Sequence, residues 1–402
     1  MKTRRNALRM AAAAAVPVAL TAVPYAASAT PAPGGKSAWQ TYELPALKGR
    51  AVLSDVATMG RNDAWAAGFE VSDDTGPDPI LGQPPLTRPR VKADDCNGRD
   101  SFPSMMLRWN GRAWSKVAVP RMGRINAVSA STAKDAWAST DCGLLHWDGK
   151  SWTPTDYGAI PGARQSSPTT VKTVNEHEAW LVGDFDTKPD EMRGFVQRWD
   201  GRRWTNIALP DLGTYFSLNS IDARGPNDVW AVGTDYDIDY ERPEGLIFLH
   251  WDGRAWKQSP APKSDQWTKR LSSVRIMGPN DVWATGMSKV KPDGDELRRP
   301  LLMHWNGREW ATTPSPAERG DIFDLARDGS GLLAVGDTFS PGRPPYEGLA
   351  LRWDGKRWGS DTLPATGELS ISGVESIPGG GVWAVGGVGD DDHALPIIAR
   401  RN

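Results

Sequence analysis

The chain has 402 residues, of which 47 are basic and 49 acidic, so its formal net charge is −2. This balance excludes the basic stripe with which proteins hold nucleic acid. Only 39% of the residues are hydrophobic, and beyond the N-terminus we expect no membrane span. Tryptophan departs from an ordinary composition, since 20 Trp stand against 7 Tyr and 8 Phe. Such an excess indicates a Trp-bearing unit that recurs along the chain.

The N-terminal residues have the composition of an export signal. Basic residues lie between Lys2 and Arg9, an Ala-rich apolar stretch covers Ala11–Val23, and Ala27-Ser28-Ala29 forms a cleavage site. The string TRRNALR resembles the bacterial twin-arginine signal, although Ala7 stands where that signal has a large apolar residue, so a general secretory signal is the alternative. We predict a secreted protein with three segments: a leader (1–29), a short linker (30–37) and a folded domain (38–402).

Two phrases recur along this domain. The first is Trp-Asp/Asn-Gly-Lys/Arg-x-Trp, whose copies begin 38 to 54 residues apart, at Trp109, Trp147, Trp199, Trp251, Trp305 and Trp353. The second is Asn-Asp-Ala/Val-Trp-Ala-x-Gly and its variants, centred on Trp65, Trp137, Trp180, Trp230, Trp283, Leu333 and Trp383. Together with Trp39, these phrases account for every tryptophan except Trp267.

Each unit predicts four short strands. An alternating strand ends at a turn rich in Pro, Asn and Asp, and the Asn-Asp-Val-Trp phrase forms the second strand. An apolar run that ends in the hairpin tryptophan forms the third. Asp-Gly or Asn-Gly then makes a two-residue turn into the fourth strand, because these dipeptides accept the positive φ of a type I′ turn. Four strands in a unit of about 40–50 residues are typical of a β-propeller.

The ends of the chain complete each other. Seven first strands begin near Leu53, Ile125, Thr170, Leu218, Leu271, Ile322 and Ile371. The seventh unit stops after three strands, whereas Ser37–Pro45 matches the fourth strand of the other units. We therefore predict an all-β, seven-bladed propeller with four antiparallel strands per blade, whose last blade is closed by the N-terminal strand.

Phrases such as LHWDGRAW and NDVWAVG resemble those of a family of exported bacterial β-propeller repeat proteins, loosely similar to kelch and galactose-oxidase propellers. The resemblance covers residues 38–402 and implies the fold without implying an activity. The Asp-Gly-x-x-Trp string lacks the residue that separates Asp from Gly in the Asp box of sialidases, so sialidase chemistry is not implied.

Residues copied in every unit are predicted to be structural. We expect the tryptophans to pack between neighbouring blades rather than to bind sugar. His146, His250 and His304 share a position with Arg108 and Arg198, which indicates a half-exposed site and not a metal ligand. We also expect the basic residues after the turn glycines to pair with the acids of the first-to-second-strand turns: Arg112, Lys150, Arg202, Arg254, Arg308 and Lys356 with Asp63, Asp135, Glu178, Asp228 and Asp281.

The connections predict two unequal faces of the ring. The turns between first and second strands, and between third and fourth strands, are short and share one face, the turn face. All length variation falls on the opposite face, the loop face. Variable loops on a rigid scaffold are the usual place for binding, and the central concavity of a propeller can also hold a ligand. We therefore predict a binding site on the loop face.

An acidic segment on the loop face is one candidate site. It carries Asp235, Asp237 and Asp239 together with Tyr236 and Tyr240. Three alternate carboxylates could bind Ca²⁺, but Tyr240 and Leu246 stand where an EF-hand loop needs Gly and Glu. The favoured interpretation is a solvated acidic loop without a cofactor, with a Ca²⁺ site as the alternative.

Trp267 and the two cysteines are the other candidates on this face. Trp267 could stack on a sugar or grip a peptide, or it could fold down onto the fifth blade. Cys96 and Cys142 lie in loops of adjacent blades. In an exported protein such a pair predicts a disulfide, with two free thiols as the alternative.

The favoured function is a monomeric, non-catalytic protein that binds a glycan or a protein. The alternatives are an extracellular carbohydrate-active enzyme, either a polysaccharide lyase or a hydrolase, and a cell-envelope interaction scaffold. Against the enzyme, no His/Asp/Ser or His/Cys set stands apart from the repeats, and His177 and His393 are predicted on opposite faces. A carboxylate pair could still cleave glycosides, and perturbed carboxylates that converge on the central pocket would favour that alternative.

Overall fold

The computed structural model describes residues 39–47, 50–71, 102–188, 191–237, 242–263, 266–289, 297–338, 347–365, 367–389 and 395–402. These ranges hold seven sheets of four antiparallel strands each. Among the same residues, no helix is long and apolar enough to span a bilayer. The predicted all-β, seven-bladed architecture is confirmed.

Blade 1 comprises β2 (Arg50–Gly60), β3 (Asp63–Val71), β4 (Ser104–Trp109) and β5 (Trp114–Lys116). Blade 2 comprises β6 (Ile125–Thr132), β7 (Asp135–Thr140), β8 (Gly143–Trp147) and β9 (Trp152–Thr155). Blade 3 comprises β10 (Gln165–Asn175), β11 (Glu178–Asp186), β12 (Arg193–Trp199) and β13 (Trp204–Asn206). Blade 4 comprises β14 (Phe216–Gly225), β15 (Asp228–Asp235), β16 (Gly245–Trp251) and β17 (Trp256–Ser259).

Blade 5 comprises β18 (Thr268–Gly278), β19 (Asp281–Lys289), β20 (Arg299–Trp305) and β21 (Trp310–Thr312). Blade 6 comprises β22 (Asp321–Asp328), β23 (Gly331–Asp337), β24 (Gly348–Trp353) and β25 (Trp358–Ser360). Blade 7 comprises β26 (Leu369–Ser376), β27 (Val382–Val388), β28 (Leu395–Arg401) and β1 (Trp39–Thr41). In each blade the first strand of the unit is an edge strand of its sheet. It packs against the first strands of the neighbouring blades around the central channel, and we call it the inner strand.

The N-terminal strand closes the ring. Trp39 lies opposite Arg401 and Thr41 opposite Ala399 in the β1–β28 ladder. The β2 strand of blade 1 packs against β26 and β27 of blade 7. The predicted closure is confirmed, and the outer edge of β28 is paired rather than open to other chains.

Tryptophans pack the seams between blades. Trp65 on the second strand of blade 1 is fully buried, and its ring contacts Trp147 and Trp152 of blade 2 with centroid distances of 5.0 and 5.2 Å. The first hairpin tryptophan also ties its blade to the preceding turn, since Trp147 Nε1 donates to the Ala133 carbonyl at 3.1 Å. The predicted role in packing is therefore confirmed at these positions.

The hairpin turn differs from the two-residue turn that the Asp-Gly pair predicts. Trp251 is paired with Trp256, so four residues separate the paired tryptophans. The Asp252 carboxylate accepts the backbone N–H groups of Arg254 and Ala255 at 2.9 and 3.1 Å. Gly253 has a φ of 93°, which explains why glycine recurs here.

The predicted pairing of the turn acids is wrong. Asp63 pairs with Arg108 at 3.0 Å and Asp228 with His250 at 3.0 Å, and the turn acids of blades 2, 3 and 5 pair in the same way with His146, Arg198 and His304. The strand register is the cause, because it places Arg108 opposite Trp65. Trp65 lies two residues after Asp63 on β3, so the side chains of Asp63 and Trp65 lie on the same side of the sheet as that of Arg108. The cations after the turn glycines are exposed instead.

The prediction of half-exposed histidines is confirmed. The side chains of His146, His250 and His304 are 28%, 33% and 30% exposed. Each ring stacks on the second-strand tryptophan of its blade, with His146 4.2 Å from Trp137 between centroids. Stacking on the tryptophan and pairing with the turn carboxylate explain why a histidine occupies this position at the turn face.

Every inner strand carries a β-bulge at the same place. The register shifts between Leu53 and Asp55 in β2, and the other six inner strands shift at the equivalent residues. A bulge bends its strand and redirects the side chains that follow. In these strands, the residues one and three positions after the bulged residue supply the polar groups around the central channel.

Candidate functional site

A cavity of about 100 Å³ lies in the central channel. Its polar lining includes Asp55, Ser129, Lys172, Arg275 and Glu375. The lining reaches Thr58 and Thr173, close to the ends of β2 and β10 at the turn face. The cavity therefore occupies the half of the channel that faces away from the variable loops.

Six charged side chains meet around this cavity, and we name them the channel cluster: Asp55, Lys172, Asp222, Arg275, Asp324 and Glu375. Lys172 Nζ lies 2.8 Å from Asp222 Oδ1. Arg275 Nη2 lies 2.9 Å from Asp324 Oδ2 and 3.9 Å from Glu375 Oε2. None of these residues was predicted as a site residue, because none is copied from blade to blade. An alignment of the seven inner strands at their β-bulges would have identified these six residues.

Part of the channel cluster holds the ring together. Asp55 Oδ2 accepts the backbone N–H of Val128 in the next blade at 2.8 Å, and Asp222 Oδ2 accepts that of Ile276 at 2.8 Å. The innermost strand of a blade has no neighbour on its channel side, so these N–H groups need other partners. The carboxylates supply them and bridge adjacent blades.

Burial and like charge perturb the carboxylates of the channel cluster. Burial, reinforced by the negative charge of Asp324, raises the pKa of Asp55 to about 7. Burial also raises the pKa of Glu375 despite the nearby Arg275. Burial disfavours the charged form of Asp222 as well, but Lys172 and Arg275 outweigh it and lower the pKa of Asp222. The cluster thus contains acids with opposite protonation tendencies.

We expect folding stability to fall as the pH rises from 5 to 8. The pKa of Asp55 is raised from 3.8 to about 7, so between these values the folded state keeps a proton that the unfolded chain has lost, and stability decreases with pH. The contribution of this group is about 3 kcal/mol across the range. Urea unfolding at pH 5 and pH 8 measures it.

Asp55→Asn should flatten this pH dependence, because the amide does not titrate. Asp148→Asn is the control, since Asp148 is a hairpin-turn carboxylate that bonds to local backbone N–H groups. An Asp55→Asn variant with the same pH dependence as the parent protein would contradict the assignment to Asp55.

The described part of the acidic loop is bonded to its own chain. Asp235 Oδ1 lies 2.9 Å from Arg242 Nη2, and Asp237 Oδ2 accepts the backbone N–H of Arg242 at 2.6 Å. Asp239 and Tyr240 lie outside the described residues. Within the ranges that the structure describes, no three His, Cys, Asp or Glu side chains are grouped to hold a metal ion.

Tyr236 lies at the loop face and is packed against neighbouring side chains. Its hydroxyl lies 3.1 Å from Ser217 Oγ, the Arg270 guanidinium lies over its ring at 5.4 Å, and the Tyr215 ring meets it edge-on. Burial raises the pKa of Tyr236. These contacts position Arg270 and occupy much of the ring, which leaves Tyr236 poorly suited as a stacking platform.

Trp267 is fixed where blades 4 and 5 meet. Its backbone N–H donates to the Lys289 carbonyl at 2.9 Å, and its carbonyl accepts the N–H of Glu244 at 2.8 Å. The residue is half-buried, unlike the fully buried second-strand tryptophans. It precedes the inner strand β18 and so lies at the loop face.

A second charged group lies at the loop face, and we name it the loop-side cluster: Glu244, Arg270, Lys289, Arg298 and Asp321. Arg298 Nη1 lies 2.6 Å from Asp321 Oδ2, and Arg270 Nη2 lies 3.5 Å from Glu244 Oε1. Burial raises the pKa of Glu244 and of Asp321, whereas the charges of Arg270 and Lys289 lower both. The two carboxylates thus lie in the field of the same two cations.

The loop-side cluster could not be predicted from the repeats, because its members belong to three blades and to no repeated phrase. Cys142 lies in the connection between β7 and β8, but Cys96 lies outside the described residues, so the disulfide stays a prediction. His177 occupies a turn at the turn face, and His393 lies outside the described ranges.

No protein-family model and no curated protein matches the chain. Among solved structures, it is similar to YCF48 bound to D1 peptide, with a TM-score of 0.55 and 16% identity over 93% of this chain and 99% of that one. It is similar to U3-55K, with a TM-score of 0.54 and 10% identity over 92% and 100% of the two chains. It also resembles the extracellular domain of a putative hybrid two-component system from B. thetaiotaomicron, with a TM-score of 0.53 and 12% identity over 90% and 39%. At these identities the likeness establishes the propeller fold.

Proposed function

We propose that the protein is a secreted, non-catalytic binding propeller that engages a glycan or a protein through its loop face. The observation that carries the proposal is the position of Trp267. It is the one tryptophan that falls at no repeat position, and it is half-buried on the loop face between two blades. A large aromatic side chain that keeps exposed surface outside the repeated packing positions is typical of binding sites.

The structural neighbours support a binding role. YCF48, which is similar over 99% of its chain, was solved with a bound D1 peptide, and the similar part of the two-component system belongs to its extracellular domain. The predicted leader at 1–29 supports secretion by the twin-arginine or the general secretory route. A Cys96–Cys142 disulfide would fix the long loop of blade 1 to blade 2, in keeping with an oxidising compartment.

Trp267→Ala should abolish binding without unfolding the protein. We expect the affinity for a ligand to fall about tenfold or more, as for a central aromatic contact, while stability falls less than for a fully buried tryptophan, because Trp267 keeps part of its surface exposed. The measurement is binding to a glycan array and to envelope proteins in a pull-down, with circular dichroism as the folding check.

Arg254→Ala is the matched control, because Arg254 is an exposed hairpin residue on the turn face. It should bind like the parent protein. Equal loss in both variants, or undiminished binding by Trp267→Ala, would refute the placement of the site. Binding to proteins but to no glycan would favour the scaffold alternative.

A carbohydrate-active enzyme is the second candidate, and the channel cluster is the observation that favours it. Asp55 and Glu375 converge on the central cavity with raised pKa values, and an acid with such a pKa suits proton donation near neutral pH. The cavity of about 100 Å³ is far smaller than the roughly 300–1,000 Å³ of ordinary ligand pockets. Its size admits small groups rather than sugar rings, and for this reason we rank binding first.

A further inference from the structure

We propose that the turn face is a docking surface for an anionic lipid bilayer, on which the exposed cations of the hairpin turns bind phosphate head groups. This role goes beyond the proposed function, because it uses the face opposite to the loop-face binding site. Docking in this orientation would direct the variable loops away from the lipid and leave them accessible to a ligand.

A ring of exposed cations is the first support. In each of blades 1 to 6, the residue after the glycine of the third-to-fourth-strand hairpin is basic and exposed: Arg112, Lys150, Arg202, Arg254, Arg308 and Lys356. The six hairpins share one conformation, since the Asp or Asn before the glycine accepts the backbone N–H of this residue at 2.8 to 3.0 Å. The six cations therefore occupy equivalent positions around the turn face.

Exposed cations outnumber exposed carboxylates at this face. The first-to-second-strand turns also expose Arg61, Lys134, Arg224 and Arg327. The hairpins and the residues beside them expose Arg203, Lys257, Arg352 and Arg357. The exposed carboxylates of the same segments are Asp148, Glu176, Asp200, Glu309 and Asp354. Fourteen exposed cations thus stand against five exposed carboxylates.

The excess remains when the less exposed charges of the face are included. These are the cations Arg108, Arg198, Arg400 and Arg401, and the acids that begin the second strands of blades 1 to 5 together with Asp252 and Asp328. The totals become eighteen cationic and twelve carboxylate side chains. The channel cluster, inside the ring, adds two cations and four carboxylates and leaves the cations in excess. Since the whole chain carries a formal charge of −2, positive charge is concentrated on this face.

The arrangement of the cations selects a flat partner. Each hairpin leads into the strand at the outer edge of its own sheet, so the cations are spread around the rim of the ring and do not line a groove. A planar array of head groups can contact hairpins of all six blades at once, whereas a linear polyanion can follow only part of the rim. Arginine holds four of the six positions, and its guanidinium can bind a phosphate with two N–H groups.

We expect this docking to be electrostatic and reversible. Among the described residues, the exposed large hydrophobic side chain is Leu395, which begins β28 at the loop face, so the described part of the turn face offers no apolar anchor for insertion. Each Lys or Arg near an anionic bilayer strengthens binding about fivefold. In about 1 M salt the attraction is screened beyond about 3 Å, and binding should be lost.

The test is sedimentation with vesicles of phosphatidylcholine that contain about 30% phosphatidylglycerol, with pure phosphatidylcholine vesicles as the neutral reference. The protein is purified after export, so that the basic leader predicted at 1–29 does not contribute. It should bind the anionic vesicles alone. Arg112→Gln combined with Lys356→Gln should weaken this binding about twenty-fivefold. Arg164→Gln combined with Arg299→Gln is the matched control, because it removes two exposed cations from the loop face, and it should bind like the parent protein.

The outcomes decide between the face, the net charge and the kind of partner. Absence of binding to anionic vesicles at low salt would overturn the proposal, and so would equal weakening by the two double variants. Binding of soluble dextran sulfate without binding of vesicles would refute bilayer docking in favour of a polymer. Trp267→Ala should bind vesicles like the parent protein, which separates this surface from the loop-face site. If the first double variant fails to fold by circular dichroism, Arg202→Gln with Arg308→Gln repeats the test on other blades.

Discussion

Replacing Trp383 with Ala should lower the free energy of unfolding by about 3–5 kcal/mol. Trp383 is fully buried on the second strand of blade 7. Its ring lies 5.4 Å from that of Trp109, 5.2 Å from that of Trp114 and 5.1 Å from that of Tyr42. The substitution would leave a cavity at the seam where the last blade meets the first.

Chemical denaturation followed by tryptophan fluorescence and circular dichroism measures this loss. Trp267→Ala is the control, since it removes the same side chain from a half-buried position and should cost far less. Equal destabilisation by the two changes would contradict the distinction between packed and ligand-facing tryptophans. Trp383→Phe should fall between them, because it retains part of the aromatic contact.

Blade 6 is the one unit that lacks the second-strand tryptophan, and it shows how this position depends on the side chains that it faces in the next blade. Leu333 occupies it in blade 6 and packs against Trp39 and its neighbours in blade 7. In blade 7, the ladder position of the first hairpin tryptophan is held by Arg401, which lies opposite Trp39. The Arg401 guanidinium lies 4.9 Å from the Trp39 ring. The leucine thus faces one tryptophan and an arginine where the other blades present two tryptophans.

The architecture was predictable because the same sequence repeat encodes each blade. Each copy of the hairpin phrase marks one blade, and the unit that lacks it points to the strand that begins near Trp39. Errors arose where the three-dimensional register decides. Asp228 is followed in its unit by both His250 and Arg254, and the ladder places His250 beside it. Sequence distance carries no information about that choice.

The two charged clusters were out of reach for a related reason. Asp55 and Asp324 meet only because the ring closes, since blades 1 and 6 are separated by blade 7 and lie far apart in sequence. Glu244 and Asp321 likewise approach the same cations from different blades. The repeat pattern predicts the scaffold, whereas the sites consist of residues in which the copies differ.

Arg401→Met should destabilise the ring by about 3–5 kcal/mol, the usual cost of removing one partner from a buried ion pair. Arg401 is 4% exposed, pairs with Asp328 and lies 2.7 Å from Asp361. It thereby joins β28 to blade 6, and its loss leaves a buried carboxylate without its inner cation. Arg352→Met is the matched control, because Arg352 contacts the same Asp328 at 2.6 Å but is 44% exposed, so it should cost about 0–1 kcal/mol. Urea unfolding measures both variants. Adding Asp328→Asn to Arg401→Met should restore part of the stability, since it removes the unpaired buried charge. The absence of this rescue would contradict the role of Arg401, and so would equal losses in the two single variants. Either result would show that the closing blade is held by its backbone ladder and Trp39 instead of by this arginine.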